Sequence, residues 1–382
     1  MSDLLLISQR GSSSGLPEYL ERAFQARGLR VAWVDAMSVL LPRVGPLLRS
    51  FSLSKARWYR KREILEYYTL EAWERNTRVN GRLVERAYRP GTRILQVGGL
   101  YYPHPDFKEL EYYLFFTYTM RLALRDGHSP WVVTAADRDA FLRNEEQLYR
   151  HAKHIFVSAQ FVKDHLIADY GIPAERITTV GMGVGEYYER NTIPEVPSRL
   201  TGQLLFVGYT FDLKGGPDVL KAFAKARAEI PDLRLEIIGP PPRPDMQMPG
   251  VQPIGQVRSA AELLAHYRAA DLFLLPSYCD SFGFVFLEAM SQGLPCLGAN
   301  INAMPEIIED GKTGYIVEPG DSDAIARCIL DLYRNPERRV SMGEAGRARL
   351  LERFRWSRVV ERMHRVMFEE SPADDRRRVH SG

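Results

Sequence analysis

The sequence predicts an α/β protein built as two doubly wound domains, and three observations carry that expectation. Its 382 residues are too many for one ordinary core and suit two domains of ~150 to 200 residues each. Apolar strand-like runs alternate with amphipathic helical stretches in both halves, the pattern of a parallel sheet covered on both faces. A proline-bearing stretch without periodicity, TIPEVPS at Thr192–Ser198, reads as a linker between them.

The first half gives LLLIS, then the helical PEYLERAFQARG, then LRVAWVD, RILQVGG and HIFVSA, followed by the helical FVKDHLIADYG. The second half gives LLFVG, LRLEIIG, DLFLLPS, PCLGAN and GYIVEP, interleaved with helices such as DVLKAFAKARAEI, AELLAHYRAA and FVFLEAMSQG. The expected domains are residues 1–195 and 196–355. A terminal helix over 356–371, packing back on the first domain, and a frayed tail over 372–382 follow. The helical pattern is expected to bend at Phe354–Ser357.

Composition excludes several classes. No apolar run approaches the ~20 residues that span a bilayer. Export is not expected either, because Leu4–Ile7 is far shorter than a secretory core, so the expectation is a cytoplasmic protein. A net charge of only +3 gives no footprint for nucleic acid. Cys279, Cys296 and Cys328 form neither an even disulfide framework nor a zinc spacing, and read as free thiols. Between Arg43 and Arg82 many cations mix with Trp58, Tyr59, Tyr67, Tyr68 and Trp73. Two readings stay open there: a solvated helical excursion packed on the first domain, or a patch for an acceptor or for peripheral contact with the inner face of a membrane.

In open parallel sheets ligands sit beyond the carboxyl ends of the strands, so the residues after each strand are the candidates for chemistry. In PSYCDSFGFVFLEAMSQG, Pro276–Gly293, a buried strand ends, a small-residue turn follows and a helix opens near Ser281, Phe282 and Gly283. The bare N–H groups of Gly283, Phe284 and Val285, with the positive dipole end, predict an anion site. Glu288 stands among apolar neighbours, where an unpaired charge costs several kcal/mol. It needs a partner, either hydroxyls of a sugar or ribose, or a salt bridge or backbone contact. Asp280 on the strand-to-helix turn reads equally as a cleft carboxylate or a helix cap.

LLFVGYTFDLKGGPDVLKAF places Lys214 on the loop after another strand, where it can neutralise a diphosphate as a point charge. The turn Gln256, Val257, Arg258, Ser259 follows a third strand; it offers backbone contacts to a base, or Ser259 simply caps the next helix.

With these residues in view, the segment SYCDSFGFVFLEAMSQGLPCLGANINAMPEIIEDGKTGYIVEPGD resembles the donor-site signature of retaining GT-B glycosyltransferases of family four. The resemblance implies two facing Rossmann-like domains with a cleft between them. It also implies transfer of a sugar from a nucleotide diphosphate sugar to an acceptor hydroxyl, with retention and without a metal or other cofactor. Glu288 would bind the nucleotide ribose, and the run Phe282–Val285 the donor phosphate. Asp280 stands where the family has a longer glutamate bonded to the donor sugar, which withdraws the carboxylate by roughly one bond length. Lys214 falls at the diphosphate-binding lysine, but the arginine that usually follows the preceding glycine is Tyr209, so half of the cationic clamp is missing.

Over the first half the resemblance is looser. QRGSSSGLPEYLERAF resembles the family's first strand-to-helix turn, implying backbone contact to the donor near Gly15; Gly11–Gly15 also reads as a plain surface loop. The usual cleft histidine is not evident in LFFTYTMRLA, which has Thr117 and Thr119, and His104 and His128 are nearby candidates. Tyr101, Tyr102, Tyr112 and Tyr113 are either acceptor-stacking aromatics or core. The acceptor is left open among saccharide, lipid-linked sugar and small metabolite. Asp137 and Asp139 in WVVTAADRD match a short metal-binding pattern of single-domain glycosyltransferases, but read better as a helix cap. Two further classes compete: a sugar-nucleotide epimerase on the same fold, and a non-catalytic sugar-nucleotide-binding protein, which the altered Asp280 and Tyr209 favour.

Overall fold

The computed structural model describes residues 3–8, 15–35, 50, 55–127 and 134–369. The chain forms two compact units, one of Met1–Gly181 with Val359–Gly382, the other of Met182–Arg358.

The first unit holds six parallel strands: β1 (Leu4–Ile7), β2 (Val31–Val34), β3 (Arg93–Val97), β4 (Tyr113–Phe116), β5 (His154–Val157) and β6 (Ile177–Thr179). Their order is β2-β1-β3-β4-β5-β6. β1 and β4 are buried along their whole length, which is why LLLI and YLFF are continuous apolar runs rather than alternating ones. In the helix Leu16–Ala26, Leu16, Leu20 and Phe24 recur at four-residue spacing and are buried, and each contributes about 1.5–3 kcal/mol. The basic, aromatic stretch is helical over Lys55–Tyr67 and Leu70–Ala87; Trp73 is buried in the core while Tyr59 is exposed. Its residues 43–49 and 51–54 lie outside the described residues, as do Gly11–Ser14, His128 and the tail 372–382.

The second unit holds β7 (Gln203–Val207), β8 (Arg234–Ile238), β9 (Val251–Gly255), β10 (Leu272–Leu275), β11 (Cys296–Ala299) and β12 (Gly314–Val317). All are parallel, in the order β12-β11-β10-β7-β8-β9. The stretch Thr192–Ser198 lies inside this unit: Ile193 N–H donates to Ser291 O at 3.0 Å, and Val196 is buried. The C-terminal helical pattern breaks at Phe354–Arg355, between Pro336–Arg353 and Trp356–His364. The break lets Trp356 lie against Gly183, where a side chain would have its Cβ 2.5 Å from the indole. From Val359 the chain groups with the first unit: there Arg362 Nη1 donates to Val180 O at 2.7 Å and Arg93 Nε to Met367 O at 3.1 Å.

Candidate functional site

In the second sheet β7 and β10 are neighbours, yet the chain leaves β7 toward β8 and β9 and leaves β10 toward β11 and β12. Such a reversal opens a crevice at the carboxyl ends of the two strands. The loops that flank it are 208–215 and 276–283, which hold most of the residues singled out in the sequence.

Glycine geometry brings these loops together. Gly215 has φ +74, and a Cβ there would stand 2.2 Å from Pro276 O, so no other residue fits without moving backbone. Tyr278 N–H donates to Leu213 O at 2.9 Å, and Tyr278 Oη donates to Asp218 Oδ2 at 2.7 Å, tying one loop to the other and to the helix Gly216–Glu229. Lys214 is thereby laid across the second loop. Its Nζ donates to Cys279 O at 3.0 Å and to Asp280 Oδ2 at 2.6 Å. The two side chains are 20% and 14% accessible, enough for a ligand to reach them, and little enough that water screens them weakly.

Asp280 is held on its other oxygen as well. Oδ1 accepts from Phe282 N–H at 3.2 Å, and its backbone O accepts from Asn302 Nδ2 at 3.0 Å. Asn302 has φ 45, a left-handed conformation that asparagine tolerates better than most residues. Gly283 caps the helix Phe284–Ser291 with φ +87, and the Phe286 ring fills the space where its Cβ would be, 2.7 Å away. The opening amides of that helix have no intrahelical acceptors and point their dipole outward. Phe282 and Gly283 are buried, while Ser281, Phe284 and Val285 are half-buried.

Glu288 is one turn further on, on the same helix face as Phe284. Its partners are neither a cation nor the backbone. Tyr267 Oη donates to Glu288 Oε2 at 2.9 Å, and the Tyr188 hydroxyl also bonds the carboxylate. Burial is the larger influence and pushes the carboxyl up to about 7, against the two hydroxyls, which lower it.

Of the other expected residues Tyr209 lies on the first crevice loop, and most of the rest lie outside the two loops. Tyr209 follows Gly208 and is 72% exposed. Val257 lies after β9, two strands out from β7, and Ser259 caps the helix Ala260–Ala269 by accepting from Glu262 N–H at 3.4 Å. Gly15, in the first unit, caps the helix Leu16–Ala26 with φ 59. His104 bonds Glu85 Oε1 at 3.0 Å and accepts Asp106 N–H at 3.0 Å. The cap of the helix Ala135–His151 is Thr134, which accepts from Asp137 N–H at 3.1 Å, rather than Asp137 or Asp139. Asp137 accepts from Thr134 Oγ1 and Leu70 N–H, and Asp139 pairs with Arg138. Tyr101, Tyr112 and Tyr113 are core residues, and Tyr102 stacks on Phe107 with centroids 3.8 Å apart. Cys279, Cys296 and Cys328 form no disulfide.

Sequence reasoning missed the two tyrosines on Glu288, Asn302 and Arg243. Arg243, on the loop after β8, reaches the loop after β7 to pair with Asp212 at 2.7 Å and also holds Asp245 at 3.1 Å. Only Asn302 carried a local signal, an asparagine in a turn; the others become partners through folding alone.

Residues 201–349, within the second unit, match the model of the family described as glycosyl transferases group 1. Among curated proteins the chain is 35% identical over 161 residues to the N-acetyl-alpha-D-glucosaminyl L-malate synthase of Bacillus anthracis, covering 40% of this chain and 41% of that one. It is 29% identical over 238 residues to the D-inositol 3-phosphate glycosyltransferase of Corynebacterium kroppenstedtii, covering 56% and 52%. The chain thus spans about half the length of the curated relatives it matches. Among solved structures it resembles the sucrose-phosphate synthase of Thermosynechococcus elongatus, with TM-score 0.67, 17% identity and coverage of 96% and 98%. It also resembles a glycosyltransferase involved in lipopolysaccharide biosynthesis, with TM-score 0.61, 16% identity and coverage of 96% and 100%. At these identities the likeness establishes the fold, the two-domain GT-B class.

Proposed function

We propose that this protein is a retaining glycosyltransferase that moves a sugar from a nucleotide diphosphate sugar to an acceptor hydroxyl without a metal. The observation that carries the reading is the meeting of Lys214, Asp280 and the helix start at Gly283 at the reversal point of the second sheet. One cation, one carboxylate and the opening amides of a helix are what a sugar diphosphate requires: charge neutralisation, a hydroxyl acceptor and fixed donors.

The ion pair fits an exchange on binding. A diphosphate competes with Asp280 for the Lys214 ammonium, and the carboxylate so released accepts a hydroxyl of the donor sugar. The amides of Gly283, Phe284 and Val285 and the helix dipole then stabilise the charge that develops on the leaving diphosphate. Glu288, once ionised, accepts the ribose hydroxyls. No side chain need form a covalent intermediate; departure of the diphosphate and arrival of the acceptor occur on one face of the sugar. The acceptor is a saccharide, a lipid-linked sugar or a small metabolite. No described helix is long and apolar enough to cross a membrane; the proposed setting is the cytoplasm, with peripheral contact at the inner face of the membrane through the basic stretch before Arg82.

Tyr209 favours a second reading, a sugar-nucleotide-binding protein without transfer, because it supplies no cation to the diphosphate. Donor consumption separates the two. Incubation with nucleotide diphosphate sugars and a panel of hydroxyl acceptors in chelator is expected to release nucleoside diphosphate, with proton NMR showing an α-linked product. Tight donor binding with neither hydrolysis nor transfer supports the second reading, and a strict metal requirement or an inverted product overturns the mechanism.

A further inference from the structure

The opposite end of the second sheet holds a different arrangement. The segments that enter β7, β10 and β11 there enclose a pocket of about 190 Å³, walled on one side by Ile193 and Val196 of the proline-bearing stretch and by Leu294. Three guanidinium groups line it: Arg199, Arg268 and Arg339. Arg339 is only 3% exposed; it donates to Pro197 O through Nη2, and its Nε has no hydrogen-bond partner. Arg268 spends its donors on neutral acceptors, Gln292 Oε1 at 3.0 Å and Asn191 O at 3.2 Å.

The single carboxylate in the lining, Asp271, is 2% exposed and committed elsewhere. Its Oδ2 accepts from Thr201 N–H and Gly202 N–H, both at 2.8 Å, and from Tyr333 Oη at 2.9 Å. The donors that hold Asp271 are thus backbone amides and hydroxyls. A guanidinium cannot shed its proton to escape a poor environment, so a buried one with an idle donor calls for a counter-charge.

We infer that this pocket is a second ligand site, which takes a small organic phosphate. Arg339 is buried while Arg199 and Arg268 are exposed at the rim, and a phosphate monoester, with about two negative charges near neutral pH, pairs with the buried guanidinium and meets the two at the rim. Its oxygens accept the forked donors that arginine presents, and the apolar wall receives the ester carbons. A pocket of this size holds several water molecules, and so has room for a phosphate and a short aliphatic body. The pocket is distinct from the Lys214 crevice, because strands of four or five residues separate the two ends of the sheet by roughly 13–17 Å. It stands whether or not the crevice takes a nucleotide.

The test is calorimetric titration of the full chain with n-butyl phosphate at pH 8, with n-butanol as the neutral control, on wild type, Arg199→Gln, Arg339→Met and Lys225→Ala, the last a surface cation paired with Asp323. Saturable binding of the phosphate but not the alcohol is expected, weakened about tenfold by Arg339→Met and about fivefold by Arg199→Gln, and changed less than about twofold by Lys225→Ala. If Arg339→Met fails to fold, Arg199→Gln decides alone, since that side chain lies at the surface. Absence of binding, or binding that the folded arginine variants weaken no more than Lys225→Ala does, overturns the inference.

Discussion

Each unit sets a glutamate against a pair of tyrosine hydroxyls, and the two glutamates differ in how completely they are sealed. In the first unit Glu145 is 3% exposed and takes donors from every side: Met120 N–H at 2.9 Å, Tyr149 Oη at 2.8 Å, and Tyr170 Oη. Burial pushes its carboxyl up and these donors pull it back. It is a sealed joint that ties the helices Ala135–His151, Gln160–Tyr170 and Met120–Arg125. In the second unit Glu288 also meets two tyrosines, but it stays half-buried and shares a helix face with the open amides near Gly283. The comparison teaches that a buried carboxylate is not by itself a site. A ligand needs the combination of incomplete sealing with donors and a cation that converge on the same edge of the sheet.

The largest expected effect breaks the sealed carboxylate. Glu145→Ala strands three donors in the core and should cost about 3 kcal/mol or more, visible as a lower denaturant midpoint, with nucleotide affinity per folded molecule unchanged. Next is Gly215→Ala, which combines a left-handed backbone with a Cβ 2.2 Å from Pro276 O. It should lose about 2–3 kcal/mol, or very roughly 4–12 °C of melting temperature at the 2–4 °C per kcal/mol of a 150–250-residue domain, and should also weaken nucleotide binding by displacing Lys214. A thermal melt read beside a binding isotherm checks both.

The third prediction concerns pH. Glu288 is pushed up to about 7 in the folded protein, above its unfolded value near 4.3. Its ionised form is therefore disfavoured by folding, and its contribution to stability falls as pH rises from the unfolded value through about 7. On the proposed function ligand binding is expected to run the other way, because ribose hydroxyls would need the ionised carboxylate. Nucleotide affinity should fall about tenfold from pH 8 to pH 6, and Glu288→Gln should flatten both profiles. Equal affinity at the two pH values would remove Glu288 from the site. The smallest effect is expected from Tyr209→Arg, which restores a cation beside the diphosphate on an exposed side chain and should tighten binding about three- to fivefold at low salt, with the gain shrinking as salt rises.

Much of the fold was legible because buried parallel strands read as unbroken apolar runs, and the site loops because they follow such runs directly: LLFVG leads to Lys214 and DLFLLPS to Asp280. Glu288 stood out as a carboxylate among apolar neighbours, but its partners did not. Tyr267 and Tyr188 come from helices 21 and 100 positions away, and nothing local marks them. The ion pair between Lys214 and Asp280 was equally hidden, since each residue was weighed on its own loop. The cap at Thr134 was missed in favour of Asp137 or Asp139 because both residue types cap well, and only backbone geometry separates them. The proline-bearing stretch looked like a plain linker in sequence; in the fold it is a wall of the arginine-lined pocket.

The central claim is that the crevice between β7 and β10 is a nucleotide diphosphate site, and calorimetry tests it most directly. Uridine, guanosine, adenosine and thymidine diphosphates and their sugars would be titrated in chelator into wild type, Lys214→Ala and Glu288→Ala. Micromolar binding of one nucleotide, weakened about tenfold or more in both variants, is the predicted result. Binding of none of them, or binding that both substitutions leave untouched, would contradict it.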